Sequence, residues 1–193
     1  MLQLSDICKM GEDSTRAAEL IERTLYAMES AFHPLFNLAV GSSRLDYKRQ
    51  ENRAFFIAIF RHIGYVGARA CHRTALEFCK LALGLDPDND PLGVLLMIDF
   101  YAIRAQQFQW FVEFVSSWDM TKNLTMLPNM AFSVALAHFY MAKNPEITPE
   151  ADARIQKALI DFPGVLLPLL DKCSVEIDKR ALGSPYFLDA QSK

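Results

Sequence analysis

His62, Cys71, His72 and Cys79 form the densest group of side chains able to hold a metal or act as nucleophiles. Zinc chemistry needs three or four such ligands converging on a tetrahedron, usually supplied in part by a closely spaced pair. Cys71 and Cys79 stand about two helical turns apart, but adjacent Cys71 and His72 diverge by about 100° on a helix, and no short ligand pair closes the site. Ordinary core cysteines and surface histidines are therefore expected, with no metal and no cofactor. Gly64 and Gly67 lack the further glycines and the lysine of a phosphate-binding loop. Gly41, Ser42 and Ser43 lack the preceding strand and flanking glycine of a nucleophile elbow. Acyl transfer is not expected, and an enzymatic reading would rest on Cys71 or Cys79 alone.

Two other groups bear on binding. Arg44, Lys48, Arg49 and Arg53, then Arg61, Arg69 and Arg73, gather positive charge, but Asp46 and Glu51 interrupt the first cluster. A solvated, self-paired face is the common outcome of such spacing, while contact with phosphates or RNA stays open. No DNA-reading motif is present, so sequence-specific DNA binding is not expected. From Phe108 to Trp118 the polar strip narrows to Gln109, Glu113, Ser116 and Ser117. A helix apolar nearly all round is either central to a core or covered by a partner, for which Trp110, Phe114 and Trp118 would be natural anchors. Asp99, among Leu95, Leu96, Ile98 and Phe100, is either an outward residue or a paired internal charge. His33 reads as a turn residue and His138 as a satisfied histidine on a packed helix.

The 193 residues suffice for one domain with a substantial core. A formal charge of −3 supplies no general attraction to nucleic acid or anionic lipid. The four cysteines, Cys8, Cys71, Cys79 and Cys173, show no CxxC spacing, and Asp6 falls where a signal peptide would be apolar; reduced thiols in the cytosol or nucleus are the expectation. The uncharged run Asn123 to Ala142 includes Asn123, Thr125, Pro128, Asn129, Ser133 and His138, which favours a buried helix over a membrane span.

The elements that must position these residues are helical. Ala18, Ile21, Leu25 and Met28 line one face of a first long helix; Phe56, Ile59, Phe60 and Ile63 follow at i, i+3, i+4 and i+7. The pattern continues through Leu76, Cys79, Ala82 and Leu83, then Phe108, Phe111, Val112 and Val115. It ends with Phe132, Ala135, Leu136, Phe139 and Tyr140, and with Ile155, Ala158, Leu159 and Phe162. Asp90–Pro91, Leu127–Pro128 and Thr148–Pro149 read as helix starts, since proline suits the first helical position and a polar residue before it can cap. Pro91 and Pro128, and the A-L-x-x-x-P endings at Pro87 and Pro163, recur at a pitch of about 37 residues, the scale of tetratricopeptide-like repeats. The tetratricopeptide consensus itself is not met, and a single irregular bundle is the competing architecture. The expected fold is all-α, a helical-repeat-like array of antiparallel helix pairs over about 52–85, 91–118 and 128–162. One helix precedes them, within a single domain 1–176, and a disordered tail 177–193 follows. The connection His33 to Gln50 is expected to pack over the array through Phe36, Leu38 and Leu45.

Five ordered blocks carry a resemblance: AFHPLFNLA (Ala31 to Ala39), RLDYKRQENR (Arg44 to Arg53), ALEFCKLALGLDPDNDPL (Ala75 to Leu92), NLTMLPNMAFSVALA (Asn123 to Ala137) and FPGVLLPLLDKCSV (Phe162 to Val175). From about Leu4 to Glu176 the chain resembles the transcription factor 25 family, subunits of the ribosome quality control complex. The chain is shorter than full-length members, so a fragment or truncated form is expected. The resemblance implies a non-enzymatic scaffold that assists the E3 ligase Listerin in ubiquitinating nascent chains on stalled large ribosomal subunits. It also implies recruitment of the p97 ATPase, a cytoplasmic, ribosome-associated location with a nuclear pool, and no membrane contact. A nuclear transcriptional corepressor acting through protein contacts is the alternative. No catalytic residue carries over. Arg44, Asp46, Tyr47, Asn52 and Arg53, the polar positions of the second block, are candidate contacts with ligase, ubiquitin or ribosome. Their structural roles would otherwise be Asn52 as a helix cap, Tyr47 packed, and Arg44 or Arg53 paired with Asp46.

Overall fold

The computed structural model describes residues 1–142, 148–178, 183 and 185–188. Every regular element among them is helical, and the chain falls into two compact units, Met1–Gln106 and Gln107–Lys193. Consecutive helices pack on one another from Leu2 to Arg104 in the first unit and from Phe108 to Asp161 in the second, consistent with the helical-repeat-like arrangement expected from the sequence. The boundary falls inside the expected 91–118 pair.

The first unit holds α1 (Leu2–Met10), α2 (Ser14–Ser30), α3 (Gln50–Ala68), α4 (His72–Leu85) and α5 (Ile98–Arg104), the last preceded by a 3-10 turn at Val94–Leu96. Two helices, not one, precede α3. The shorter is hidden from periodicity because its inward residue is Ser5, whose Oγ donates to the Ala17 carbonyl at 2.9 Å. Asp13 caps α2 by accepting from the Arg16 amide at 2.9 Å. The core of this unit is built from Ile21, Phe56, Ile59, Ile63, Leu76, Cys79, Leu83 and Ile98. On α2 the buried line is Ala17, Ile21 and Thr24, so Ala18, Leu25 and Met28 are its half-buried flank.

Asp90 and Pro91 do not open a helix. Asp90 takes a left-handed φ of 41°, and its two carboxylate oxygens accept from the amides of Val94 at 2.8 Å and Leu95 at 2.9 Å. The cap is real but serves the 3-10 turn, and α5 begins later, at Ile98. Asp99 lies inside, 6% exposed.

The second unit holds α6 (Phe108–Lys122), α7 (Pro128–Met141), α8 (Pro149–Asp161), α9 (Leu166–Lys172) and the short α10 (Pro185–Leu188). Both expected proline starts, Pro128 and Pro149, open their helices. Thr148 does not accept from an amide; its hydroxyl donates to the Asp152 carboxylate at 3.2 Å. Between α6 and α7, Asn123 turns the chain at φ 50°, and Asp119 accepts from the Thr125 amide at 2.8 Å and hydroxyl at 3.1 Å. The expected unstructured tail 177–193 lies largely outside the described residues; within its described part, the Tyr186 hydroxyl of α10 donates to the Ile160 carbonyl at 2.6 Å.

Buried side chains of α7 are Met130, Val134, Ala135 and Ala137, while Leu136, Phe139 and Tyr140 are exposed. The expected inner face of this helix is thus partly its outer one. With apolar residues nearly all round, periodicity does not choose a face there. Among the described residues no helix is long and apolar enough to cross a membrane.

Candidate protein-interaction surfaces

The block Arg44–Arg53 folds into a corner that leads into α3. The Asp46 carboxylate accepts from the Lys48 amide at 2.8 Å, and the Asp46 carbonyl accepts from Asn52 Nδ2 at 2.9 Å. Arg53 lies over the Tyr47 ring, its Cζ 5.7 Å from the centroid, and donates to the carbonyls of Tyr47 at 3.2 Å and Lys48 at 3.3 Å. Tyr47 meets Phe56 edge to face at 5.4 Å. Arg44 donates to the carbonyls of Gly41 at 2.8 Å and Ser43 at 3.1 Å. The five candidate residues are therefore neighbours in one corner. The arginines hold backbone carbonyls where a pairing with Asp46 was the structural expectation, and Asn52 serves as a brace by its side-chain amide. Arg44, Asp46 and Arg53 remain exposed, presenting mixed charge on a fixed backbone.

That corner ends the long connection after α2, which lies on α3 and α4 as its apolar residues suggested. Phe32 meets Phe36 at a tilt at 4.5 Å and Phe55 edge to face at 4.9 Å, and the Leu45 amide donates to the Leu85 carbonyl at 2.9 Å.

On α6, Trp110, Phe114 and Trp118 recur at i, i+4 and i+8 and form a continuous aromatic ladder. Trp110 and Phe114 are stacked at 5.1 Å, Phe114 and Trp118 tilted at 5.3 Å. Phe114 is buried and both tryptophans are half-buried. Rigid aromatics with one covered face and one wet edge are the side chains that anchor protein contacts at low entropic cost.

His62, Cys71, His72 and Cys79 do not converge. His62 is buried against Phe78, edge to face at 4.5 Å; burial lowers its pKa, with Glu22 opposing and Arg69 adding to the shift. Cys79 is fully buried in α4, and desolvation, with a further contribution from Asp90, pushes its thiol up to about 12, which keeps it protonated and non-nucleophilic. Cys71 is exposed at the start of α4. All four cysteines are free thiols. Among the described residues no group of three or more His, Cys, Asp or Glu could hold a metal ion. His138 sits at 3.1 Å from Glu150 through Nδ1, joining α7 to α8.

One surface escaped the sequence reading. Phe132, Leu136 and Phe139 of α7, Ala151 and Ile155 of α8, and Leu169 of α9 line a groove of about 420 Å³. The only available signal was that α7 has more apolar positions than one buried stripe needs.

The sequence model of the family described as "Transcriptional repressor TCF25" matches residues 1–193. This chain belongs to the Tcf25 family. Among its Tcf25 relatives is the Homo sapiens protein named ribosome quality control complex subunit TCF25, 47% identical over 196 residues that cover 97% of this chain and 29% of the human protein. The Dictyostelium discoideum protein of the same name is 39% identical over 194 residues, covering 89% of this chain and 26% of that protein. Ribosome quality control complex subunit 1 of Schizosaccharomyces pombe is 36% identical over 185 residues, covering 96% and 28%. The chain thus spans under a third of the length of these Tcf25 relatives. No solved structure matches it.

Proposed function

We propose that this chain is a helical scaffold portion of a ribosome quality control subunit. It acts without chemistry of its own, to orient the ubiquitination of nascent chains on stalled large ribosomal subunits. The observation that carries this reading is the 47% identity to a human ribosome quality control subunit across 97% of the chain. A scaffold accelerates transfer between bound components by converting a bimolecular encounter into a local one, which needs rigid surfaces and no catalytic group. The fixed Arg44–Arg53 corner and the Trp110–Phe114–Trp118 ladder suit such a role. Listerin, ubiquitin and p97 are the proposed partners. The proposed location is the cytoplasm, on ribosomes, with a nuclear pool.

The test adds the folded chain to a defined reaction containing Listerin and large subunits bearing nascent chains, and reads ubiquitin chain length and linkage. A shift toward degradation-type linkage is expected, reduced by Arg44→Glu or by Trp110→Ala with Trp118→Ala. No shift, together with no co-sedimentation with large subunits, overturns the reading for this portion of the protein.

The family's description as a transcriptional repressor supports a second reading, a corepressor working through the same surfaces. Nuclear enrichment, with reporter repression that is lost in the tryptophan variants, would replace the first reading.

A further inference from the structure

A cavity of about 350 Å³ opens in the first unit between α1 and α3, with Ser14, the first residue of α2, at its edge. Phe60, Gly64 and Ala68 of α3 give it an apolar floor. On its wall, Arg61 and Asp6 satisfy one another. Arg61 Nη1 and Nη2 reach the two Asp6 carboxylate oxygens at 2.9 and 3.0 Å, and Nη1 also donates to the Leu2 carbonyl at 2.9 Å. The clasp ties α1 to α3 and leaves this wall without net charge.

The remaining polar groups of the lining are donors with little to hold. Among the described residues Lys9 makes no ion pair and the Ser14 hydroxyl no hydrogen bond. The Tyr65 hydroxyl stands 3.5 Å from Ser5 Oγ, too far for a strong bond. Asp13, next to Ser14 in sequence, caps the Arg16 amide at 2.9 Å and is not part of the lining. One positive charge is therefore in excess, beside two hydroxyls and above an apolar floor. Gly64 adds an independent sign. A glycine inside a helix is costly relative to alanine, and at Gly67 the close approach of Tyr101 requires it. At Gly64 a Cβ meets nothing within 4 Å, so no packing in the fold asks for the missing side chain. A ligand that lies close to the α3 backbone does.

We propose that this cavity binds a glutamate side chain of an extended acidic peptide belonging to a partner protein. The carboxylate takes Lys9 as its counter-charge and a hydroxyl of Ser14 or Tyr65 as a donor, while its methylenes lie on Phe60 and Gly64. A monovalent carboxylate matches the single excess charge; a phosphate dianion exceeds it and faces Asp6. The exposed Gly64 and Ala68, one turn apart, let a peptide backbone pass close to α3. The site uses none of the residues assigned to the scaffold role above and does not depend on that reading.

The experiment is an amide-resolved NMR titration of the full 193-residue chain with the peptide acetyl-Ala-Glu-Ala-amide. Saturable shifts are expected at Lys9, Ser14 and residues 60–68, with a Kd of about 1 mM or tighter. The same peptide with glutamine in place of glutamate is expected to bind about tenfold or more weakly, a comparison that needs no variant. Lys9→Glu is expected to weaken binding of the glutamate peptide about tenfold or more. Gly64→Leu places a side chain in the open space, so it is expected to keep the fold and to block the cavity. Sodium acetate, sodium phosphate and an oligouridylate are titrated in parallel. No saturable shift up to about 10 mM peptide, glutamine binding equal to glutamate, or folded variants that bind like the parent overturns the proposal. So does acetate, phosphate or the oligouridylate binding the same residues as tightly as the peptide, which would assign the cavity to a free anion, a phosphate or RNA.

Discussion

Gly64 and Gly67 stand on the same helix, yet a methyl group added at each meets opposite surroundings. At Gly67 a Cβ would lie 2.5 Å from the Tyr101 hydroxyl oxygen and 2.8 Å from its ring Cε1, whereas at Gly64 it meets nothing within 4 Å. Tyr101 of α5 is buried, with its hydroxyl 3.5 Å from the Ile63 carbonyl of α3 and its ring beside His72, so it has little room to retreat. Gly67→Ala is expected to lower stability by about 1–3 kcal/mol despite the better helix propensity, and Gly64→Ala to raise it by up to about 1 kcal/mol. Urea unfolding of the two variants checks both signs. His62 makes a prediction in pH. Its pKa is lowered from 6.5 by burial, so the unfolded chain takes up a proton before the folded one does. The contribution of the neutral ring is complete above about 6.5 and is lost as pH falls through the folded value. Glu22 and Arg69 are the charged groups that bear on it, with opposite signs. His62→Phe is expected to keep the contact with Phe78 and to flatten the slope of unfolding midpoint against pH below about 6.5. An unchanged slope would assign the acid sensitivity to other groups.

Among the elements, helix starts were legible where proline followed directly on a residue held outside the helical region. Pro128 and Pro149 open α7 and α8 because a residue before proline is driven out of the helical region, which sets a boundary by sterics alone. Asp90–Pro91 carried the same letters without the same result, because Asp90 adopts a left-handed φ that no local pattern marks, and its carboxylate reaches past Pro91 to Val94 and Leu95. Helix α1 was missed for a different reason: a buried serine and an exposed leucine reverse the hydrophobic signal on which periodicity depends. The aromatic ladder of α6 and the braced corner before α3 were both visible in the sequence as residue sets, though the corner's carbonyl-holding arginines were not, since backbone acceptors leave no letter. The α6–α7 turn rests on Asp119, which holds both the amide and the hydroxyl of Thr125. Asp119→Ala is expected to cost about 1–2 kcal/mol, and Asp119→Asn less, because the amide oxygen can still accept from the Thr125 amide. Thermal denaturation of the two variants gives the order; equal losses would mean that the charge, rather than the acceptor, carries the turn.

Over the whole molecule, a helical repeat-like array was readable from recurrent proline and apolar spacing, while its division into Met1–Gln106 and Gln107–Lys193 was not. The boundary falls in a short turn, with Gln106 at φ 56° between α5 and α6, and no Pro- or Gly-rich linker announces it. Cys79 offers a way to follow one unit by itself. It is fully buried in the first unit, with its thiol pushed up to about 12, so an alkylating reagent reaches a reactive thiolate only after α4 has parted from its neighbours. In a variant with Cys8, Cys71 and Cys173 replaced by serine, iodoacetamide labelling under native conditions is expected to be slow and to accelerate with urea along the unfolding curve of this unit. Labelling as fast as that of a free thiol would show that the core around α4 is open in solution. That single sulfur makes the first unit a clock: its labelling time counts how rarely the folded protein opens, a measure of native-state excursions that needs no denatured baseline and no partner.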